Sequence, residues 1–125
     1  MIIFERDRYG RERNIDLDSR LFEDRCIFLV GSVEPIICQE IVQQLFILDN
    51  QNQNDIHLYI NSGGGEVLSG MSIISVMDSL KSRVNTIVIG SAASMASVIL
   101  SAGYKRYIYK YGEVTNSYDI SVETC

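Results

Sequence analysis

Residues 59–70 read YINSGGGEVLSG, and this stretch decides how the rest of the chain is interpreted. A run of strand-forming residues breaks at three consecutive glycines, and a helix-like pattern follows them. Consecutive glycines carry an entropic cost, and they occur where the backbone takes a positive φ or lies very close to another group. The stretch therefore predicts a strand, a tight turn with something held against its backbone, and a helix.

The flanking sequence repeats this alternation. Short runs rich in β-branched residues predict strands, and apolar residues at helical spacing predict helices. The predicted strands are 25–31, 56–61, 84–90 and 105–114 (a strand or hairpin), and the predicted helices are 35–48, 67–82 and 91–103, the last after a tight turn. Alternating elements favour an α/β fold in which helices connect parallel strands.

Two unusual turns each follow a predicted strand. One is the triple glycine, and the other begins SAASM (91–95). Ligands of open α/β sheets bind beyond the carboxyl ends of the strands. We therefore expect the two turns to be neighbours and to form the functional site together.

Phosphate binding is one function of glycine turns, but the pattern here disfavours it. A Walker loop requires a lysine directly after its last glycine, and the next lysine in this sequence is Lys81. The dinucleotide fingerprint G-x-G-x-x-G fails at Leu68, and Glu66 places a carboxylate where a phosphate would bind.

Acyl transfer is a second function, and it involves Ser94. Amide groups from both turns, facing the hydroxyl of this serine, would form an oxyanion hole. The local sequence A-A-S-M-A differs from the G-x-S-x-G elbow of α/β hydrolases. From spacing alone, a serine that merely caps a helix is the favoured interpretation of Ser94, and the catalytic one is the alternative.

Composition narrows the class of protein. The chain has 125 residues, 46% hydrophobic and 22% charged, which is typical of one globular domain. A net charge of −5 gives no overall attraction to nucleic acid or anionic lipid. No apolar run approaches the roughly 20 residues that span a bilayer, and the start MIIFERDRYG becomes charged too early for a signal peptide. We therefore expect a cytoplasmic protein.

Cysteines and local charge give two further expectations. Cys26, Cys38 and Cys125 show no C-x-x-C spacing, so neither a metal site nor a disulfide framework is expected. Cys26 and Cys38 lie in apolar runs and are predicted to be core thiols. Six arginines and seven acidic residues lie between Glu5 and Arg25. This mixture predicts a solvated or loosely ordered arm, or alternatively a partner-docking segment.

Residues 58–73 (LYINSGGGEVLSGMSI) and 89–103 (IGSAASMASVILSAG) resemble the two signature blocks of the ClpP family. LDSRL (17–21) and RCIFLVGSVE (25–34) resemble the same family. The family comprises proteolytic subunits of the ATP-dependent Clp protease, which are serine peptidases with a ClpP/crotonase-type layered fold. The resemblance implies a charged N-terminal arm at 1–24, a ClpP-like α/β domain at 25–114 and a divergent C-terminal tail at 115–125, with the C-terminal part of the fold absent.

The resemblance also implies roles for individual residues. Ser94 matches the nucleophile, and the backbone N–H groups of Gly65 and Met95 match the oxyanion hole. Gly64, Gly65 and Glu66 match the strip that seats an extended substrate backbone. The implied partners are unfolded polypeptide, a Clp-type ATPase and other subunits of a homo-oligomeric or mixed ring, with no cofactor, nucleic acid or membrane.

The chain departs from the family most strongly near its end. Smaller departures are Gly63 in place of proline, Ser91 in place of glutamine and Ala96 in place of glycine. The family's histidine base falls on Ser117, and the family's aspartate and its ring-pairing helix would lie beyond Cys125. The single histidine, His57, precedes the glycine turn and is expected to have no catalytic role.

A serine without a base is a weak nucleophile at neutral pH. The sequence therefore predicts a ClpP-type subunit with impaired catalysis, prone to aggregate or to depend on partners. The alternative is a non-catalytic ring subunit that binds intact ClpP-type subunits. A crotonase-like acyl-CoA binder is a third, weaker alternative that rests on shared fold alone.

Overall fold

The computed structural model describes residues 1–116 and 120–125. Apolar residues with a period of 2 form its strands, and those with a period of 3.6 form its helices. In chain order the elements are β1 (Ile2–Arg6), β2 (Glu12–Asp16), α1 (Leu17–Glu23), β3 (Cys26–Val30), α2 (Pro35–Gln51), β4 (Ile56–Ser62), α3 (Val67–Ser79), β5 (Val84–Ala93), α4 (Met95–Ser101), β6 (Arg106–Ile108), β7 (Glu113–Thr115) and β8 (Glu123–Thr124). The fold is mixed α/β, as the sequence predicted.

A parallel sheet organises the molecule. Its strands lie in the order β3-β4-β5-β6-β8, and β7 pairs with the carboxyl-terminal part of β5. All of these pairings are parallel. Parallel neighbours need crossover connections, which α2, α3 and α4 provide. Because β4 and β5 are parallel neighbours, the turns that follow them lie at the same edge of the sheet.

One face of the sheet packs against α2 and α3 to form the core. Ile56, Leu58 and Ile60 alternate along β4 and are fully buried on this face. The buried apolar residues that the two helices contribute are Cys38, Ile41, Leu45, Leu48, Ile73 and Met77. Each large side chain buried in this way contributes about 1.5–3 kcal/mol. The core position predicted for Cys38 is confirmed.

The opposite face of the sheet is open. The rings of Phe28 and Tyr59 stack there with centroids 5.1 Å apart, and Val30 and Ile89 are exposed. Cys26 lies on this face by strand alternation and is only half-buried, so its predicted place in the core is wrong. In an apolar strand, the residues that face the core cannot be told by composition from those on the other face of the sheet. The pairing of the strand with its neighbours decides which face each residue occupies.

The charged segment at the N-terminus forms regular structure rather than a loosely ordered arm, while most of its charged side chains are exposed, as expected for a solvated segment. β1 and β2 pair as an antiparallel hairpin, and α1 follows directly. Glu5 on β1 accepts hydrogen bonds from both Arg13 and Arg20. Arg13 also pairs with Glu23, and Arg20 with Asp24. The balanced charges of this segment therefore join the hairpin to α1.

Arg25 lies directly before β3, at the amino-terminal ends of the parallel strands, and its backbone has an unusual conformation. Its φ is +64°, and its side chain is buried. The guanidinium donates to five oxygens, namely the carbonyls of Leu48, Asn52, Asn54 and Asp55 and the hydroxyl of Ser82. Burial lowers the pKa of Arg25, although the charges of Asp49 and Asp55 oppose that shift. The guanidinium thus donates hydrogen bonds to carbonyl groups at the carboxyl end of α2 and in the loop that leads into β4.

The stretch predicted as a strand or hairpin at 105–114 forms two short strands instead. β6 pairs with the first half of β5, and β7 pairs with its second half. A turn separates them, in which the Gly112 amide donates to the Tyr109 carbonyl over 2.9 Å. Among the helices of residues 1–116 and 120–125, none has the length and apolar character needed to cross a bilayer.

Candidate active site

The turns after β4 and β5 are in direct contact. A methyl group added to Gly64 would lie 2.8 Å from Ser94 Cβ, 2.8 Å from the Ala93 carbonyl oxygen and 3.1 Å from the Met95 amide nitrogen. These distances are below normal contact, so only glycine allows the two backbones to approach so closely. The predicted adjacency of the glycine turn and the SAASM turn is confirmed.

The glycine turn is held from its other side by Val33. The Val33 amide donates to the Gly64 carbonyl over 2.9 Å, and the Glu66 amide donates to the Val33 carbonyl over 2.8 Å. Gly64 and Gly65 have φ values of +99° and +155°, which a residue with a side chain adopts only with strain. A methyl group on Gly65 would collide with the Val33 backbone. Both glycines are thus fixed between the exit of β3 and the turn at Ser94.

Ser94 occupies a strained backbone conformation, with φ +53° and ψ −125°. Its amide donates to the Thr115 carbonyl over 3.3 Å. Its carbonyl accepts hydrogen bonds from the amide and the hydroxyl of Ser97, over 3.0 and 2.5 Å. Such a conformation costs about 1–3 kcal/mol and persists only when its surroundings impose it. Strain of this kind clusters at functional sites.

The hydroxyl of Ser94 is free to act on a ligand. Ser94 is exposed, and although it stands at the N-cap of α4, its side chain makes no capping hydrogen bond. The side chain of Ser94 therefore does not supply the capping hydrogen bond that the alternative interpretation assumes. Among the described residues, the amides of Gly65 and Met95 have no backbone acceptor of their own.

A groove of about 770 Å³ opens beside Ser94. Val67, Met71, Met95 and Val98 supply apolar walls. Its polar lining comes from Ser94, Ser97, Thr115 and Asn116. Met71 is 40% exposed and lines the groove, whereas Met77 of the same helix is buried in the core. An apolar groove of this kind accepts an uncharged side chain.

Glu66 lies at the rim of the site. It is the N-cap residue of α3, is exposed, and makes no capping hydrogen bond through its side chain. Burial raises the pKa of the Cys38 thiol, and the negative charges of Glu66 and Glu34 raise it further, against an opposing backbone hydrogen bond from Glu34. The carboxylate of Glu66 is therefore close enough to α2 for its charge to raise the pKa of the Cys38 thiol.

The histidine of the chain lies away from this site. His57 is at the amino end of β4, in register with Cys26 and Asn85. Ser62, at the other end of this strand, lies five positions further along the chain, a length of about 16 Å. The position to which the sequence assigns the family's base, Ser117, lies outside the described residues. Among the residues described, Ser94 has no hydrogen-bonded acid or base.

An exposed, strained serine opposite a glycine turn, at the carboxyl ends of adjacent parallel strands, is the arrangement of a ClpP/crotonase-type fold. The family model for Clp protease matches residues 9–113, and the chain belongs to that family.

Several curated relatives carry the name "ATP-dependent Clp protease proteolytic subunit". The protein of Carsonella ruddii is 51% identical over 94 residues, which are 75% of this chain and 48% of that protein. The Streptococcus mutans protein is 48% identical over 105 residues, 83% of this chain and 53% of that protein. The Streptococcus agalactiae protein is 46% identical over the same coverage. This chain thus spans about half the length of these relatives.

The structure also shows site residues that sequence reasoning missed. Val33 and Thr115 hold the glycine turn and Ser94 through backbone hydrogen bonds. Backbone contacts leave no signature in side-chain identity, so no motif marked them. Met71 belongs to the groove because it falls on the flank of α3 that faces α4.

Proposed function

We propose that this chain is a serine-type endopeptidase subunit of an ATP-dependent Clp protease with impaired catalysis. The observation that carries the proposal is the packing of Gly64 against Ser94 and the Met95 amide, which brings the glycine turn and an exposed serine together. In this proposal the amides of Gly65 and Met95 are the donors beside the Ser94 hydroxyl. Two amide donors beside a nucleophile constitute an oxyanion hole, and one such donor contributes about 2.7–4 kcal/mol to acyl transfer.

The chemistry follows from these positions. A peptide would lie along Gly64, Gly65 and Glu66 with a side chain in the apolar groove. The Ser94 hydroxyl would attack the carbonyl carbon while the two amides stabilise the negative oxygen. Without a base to take the hydroxyl proton, attack is slow, and only the oxyanion hole and binding still accelerate the reaction.

A fluorophosphonate probe tests this proposal because it reacts with activated serines. The parent chain, the Ser94→Ala variant and the Streptococcus mutans relative are treated alike, and adduct mass is followed over time. We expect adduct on Ser94 at least about 10³ times more slowly than on the relative, given the loss typical of a missing triad member. Labelling as fast as the relative would refute the impairment, and labelling unaffected by Ser94→Ala would refute the nucleophile.

Partners and location belong to the same proposal. The chain would act on unfolded polypeptide, work with a Clp-type ATPase and occupy a homo-oligomeric or mixed ring in the cytoplasm. The names of the relatives support an ATPase partner and a proteolytic role.

A non-catalytic ring subunit is the second candidate, and the open face of the sheet favours it. Phe28, Val30 and Ile89 are exposed there at 37–53%. A contiguous exposed apolar surface marks an interaction site in a protein that folds alone. Co-expression with the tagged Streptococcus mutans relative, followed by the probe, distinguishes the candidates: stable co-purification without probe labelling supports the non-catalytic ring subunit, and labelling of Ser94 supports the peptidase whether or not the two chains co-purify.

A further inference from the structure

The segment 120–125 carries a strand pattern of its own. Ile120 and Val122 are half-buried and pack against the hydrophobic core, while Ser121 and Glu123 between and beyond them are exposed. Alternation with a period of 2 is the pattern of a strand with one buried face. The segment that the sequence assigned to a divergent tail is thus built into the core.

Hydrogen bonds attach this segment to β6 at both ends. The Arg106 side chain donates through Nε to the Ser121 carbonyl over 2.8 Å, and the Cys125 amide donates to the Ile108 carbonyl over 2.9 Å. Between them, Tyr107 pairs with Glu123 and Ile108 with Thr124 in parallel register. The segment therefore covers the outer edge of β6.

An edge strand of a parallel sheet offers a row of backbone groups to any other strand. With the segment in place, the outermost strand on this side is β8, which has two residues and bears Glu123. Short length and charge are the features by which natural sheets prevent edge-to-edge pairing. Without the segment, β6 would offer its edge beside exposed tyrosines, Tyr109 at 45% and Tyr111 at 85%.

We infer that residues 120–125 act as an internal blocking strand, which occupies the edge of β6 and prevents a second copy of the chain from pairing there. We take the occupant of a freed β6 edge to be a second copy of the chain. That edge already pairs in parallel with the chain's own segment 120–125, and a second copy carries the same segment. This role is independent of the chemistry at Ser94 and of the proposed peptidase function.

Substitutions that loosen this segment, made in the whole 125-residue chain, test the inference. Val122→Asp places a charge against the core. Arg106→Ala removes the hydrogen bond to the Ser121 carbonyl, together with the one that this side chain donates to the Gly103 carbonyl, and Glu123→Gln changes an exposed side chain as the control. We expect exchange of the Cys125 amide to rise about five- to tenfold in Arg106→Ala, the effect of one hydrogen bond lost from the segment. Exchange in Glu123→Gln should equal that of the parent.

Association is the second measurement, by sedimentation velocity over a hundredfold range of concentration. Both undocked variants should form larger species than the parent at equal concentration, and an added synthetic peptide of residues 120–125 should reverse this. If Val122→Asp fails to fold by circular dichroism, Arg106→Ala alone decides. Raised Cys125 exchange with unchanged association, or association that the peptide does not reverse, would overturn the inference.

Discussion

Gly64→Ala should be among the most damaging small substitutions in this chain. The new methyl group would lie 2.8 Å from two heavy atoms of the neighbouring turn, about 1 Å inside the usual carbon contact distance. Overpacking costs about 1–3 kcal/mol, and a side chain at the φ of +99° adds about 1–2 kcal/mol. The sum, about 2–5 kcal/mol, is a large part of the 5–15 kcal/mol typical of a domain.

Gly63→Ala is the matched control, because nothing lies within 4 Å of the added methyl group and φ at Gly63 is not positive. Urea denaturation followed by circular dichroism gives the free energy of unfolding of both variants and the parent. We expect a loss of less than about 1 kcal/mol for the control. Equal losses in the two variants would refute the claim that close approach, rather than glycine content, fixes this turn.

Three further predictions follow from contacts described above. Replacing Arg25 with glycine should destabilise the chain by about 1–2 kcal/mol less than replacing it with alanine, as measured by urea denaturation. Both variants lose the guanidinium, and only alanine is strained at the φ of +64°. The reverse order of stability would exclude backbone strain at Arg25. Hydrogen bonds from Arg20 and Arg13 hold the pKa of Glu5 below its ordinary value of 4.5. Their contribution is therefore complete above about pH 4.5 and is lost as the pH falls through the lowered pKa; amide exchange in the hairpin should accelerate there, and Glu5→Gln should remove that pH dependence while Glu12→Gln retains it. Val30→Asp on the open face should change the free energy of unfolding by less than about 0.5 kcal/mol, because Val30 is 53% exposed, yet abolish co-purification with the Streptococcus mutans relative; a large loss of stability would show that this face is covered in the isolated chain.

The periodicity of apolar residues predicted most of the α/β domain. The spacing of Ile41, Leu45 and Leu48 identifies the buried side of α2, and the rule for parallel strands places the two turns together. These predictions succeeded because local pattern and burial coincide in this part of the chain.

Other features depend on partners distant in sequence. Charge alternation between Glu5 and Asp24 looked like a solvated arm, since nothing local shows that Glu5 meets both Arg13 and Arg20. The strand at 120–125 has only two inward residues, too few for a periodicity argument. The candidate nucleophile was identifiable by its motif, whereas the backbone hydrogen bonds that hold it were not.

Because the Arg25 guanidinium is buried and hydrogen-bonded while other arginines are exposed, trypsin cleavage can report local and global unfolding of this chain separately. Trypsin needs an accessible arginine in an extended segment, and Arg8 and Arg11 at the hairpin turn are exposed in the native state. The bond after Arg25 leads straight into β3, while its side chain is held by four carbonyl oxygens of α2 and the following loop and by the hydroxyl of Ser82. Cutting after Arg8 or Arg11 therefore measures local fraying, whereas cutting after Arg25 measures loss of the whole domain, and the ratio of the two fragments gives the cooperativity between hairpin and sheet.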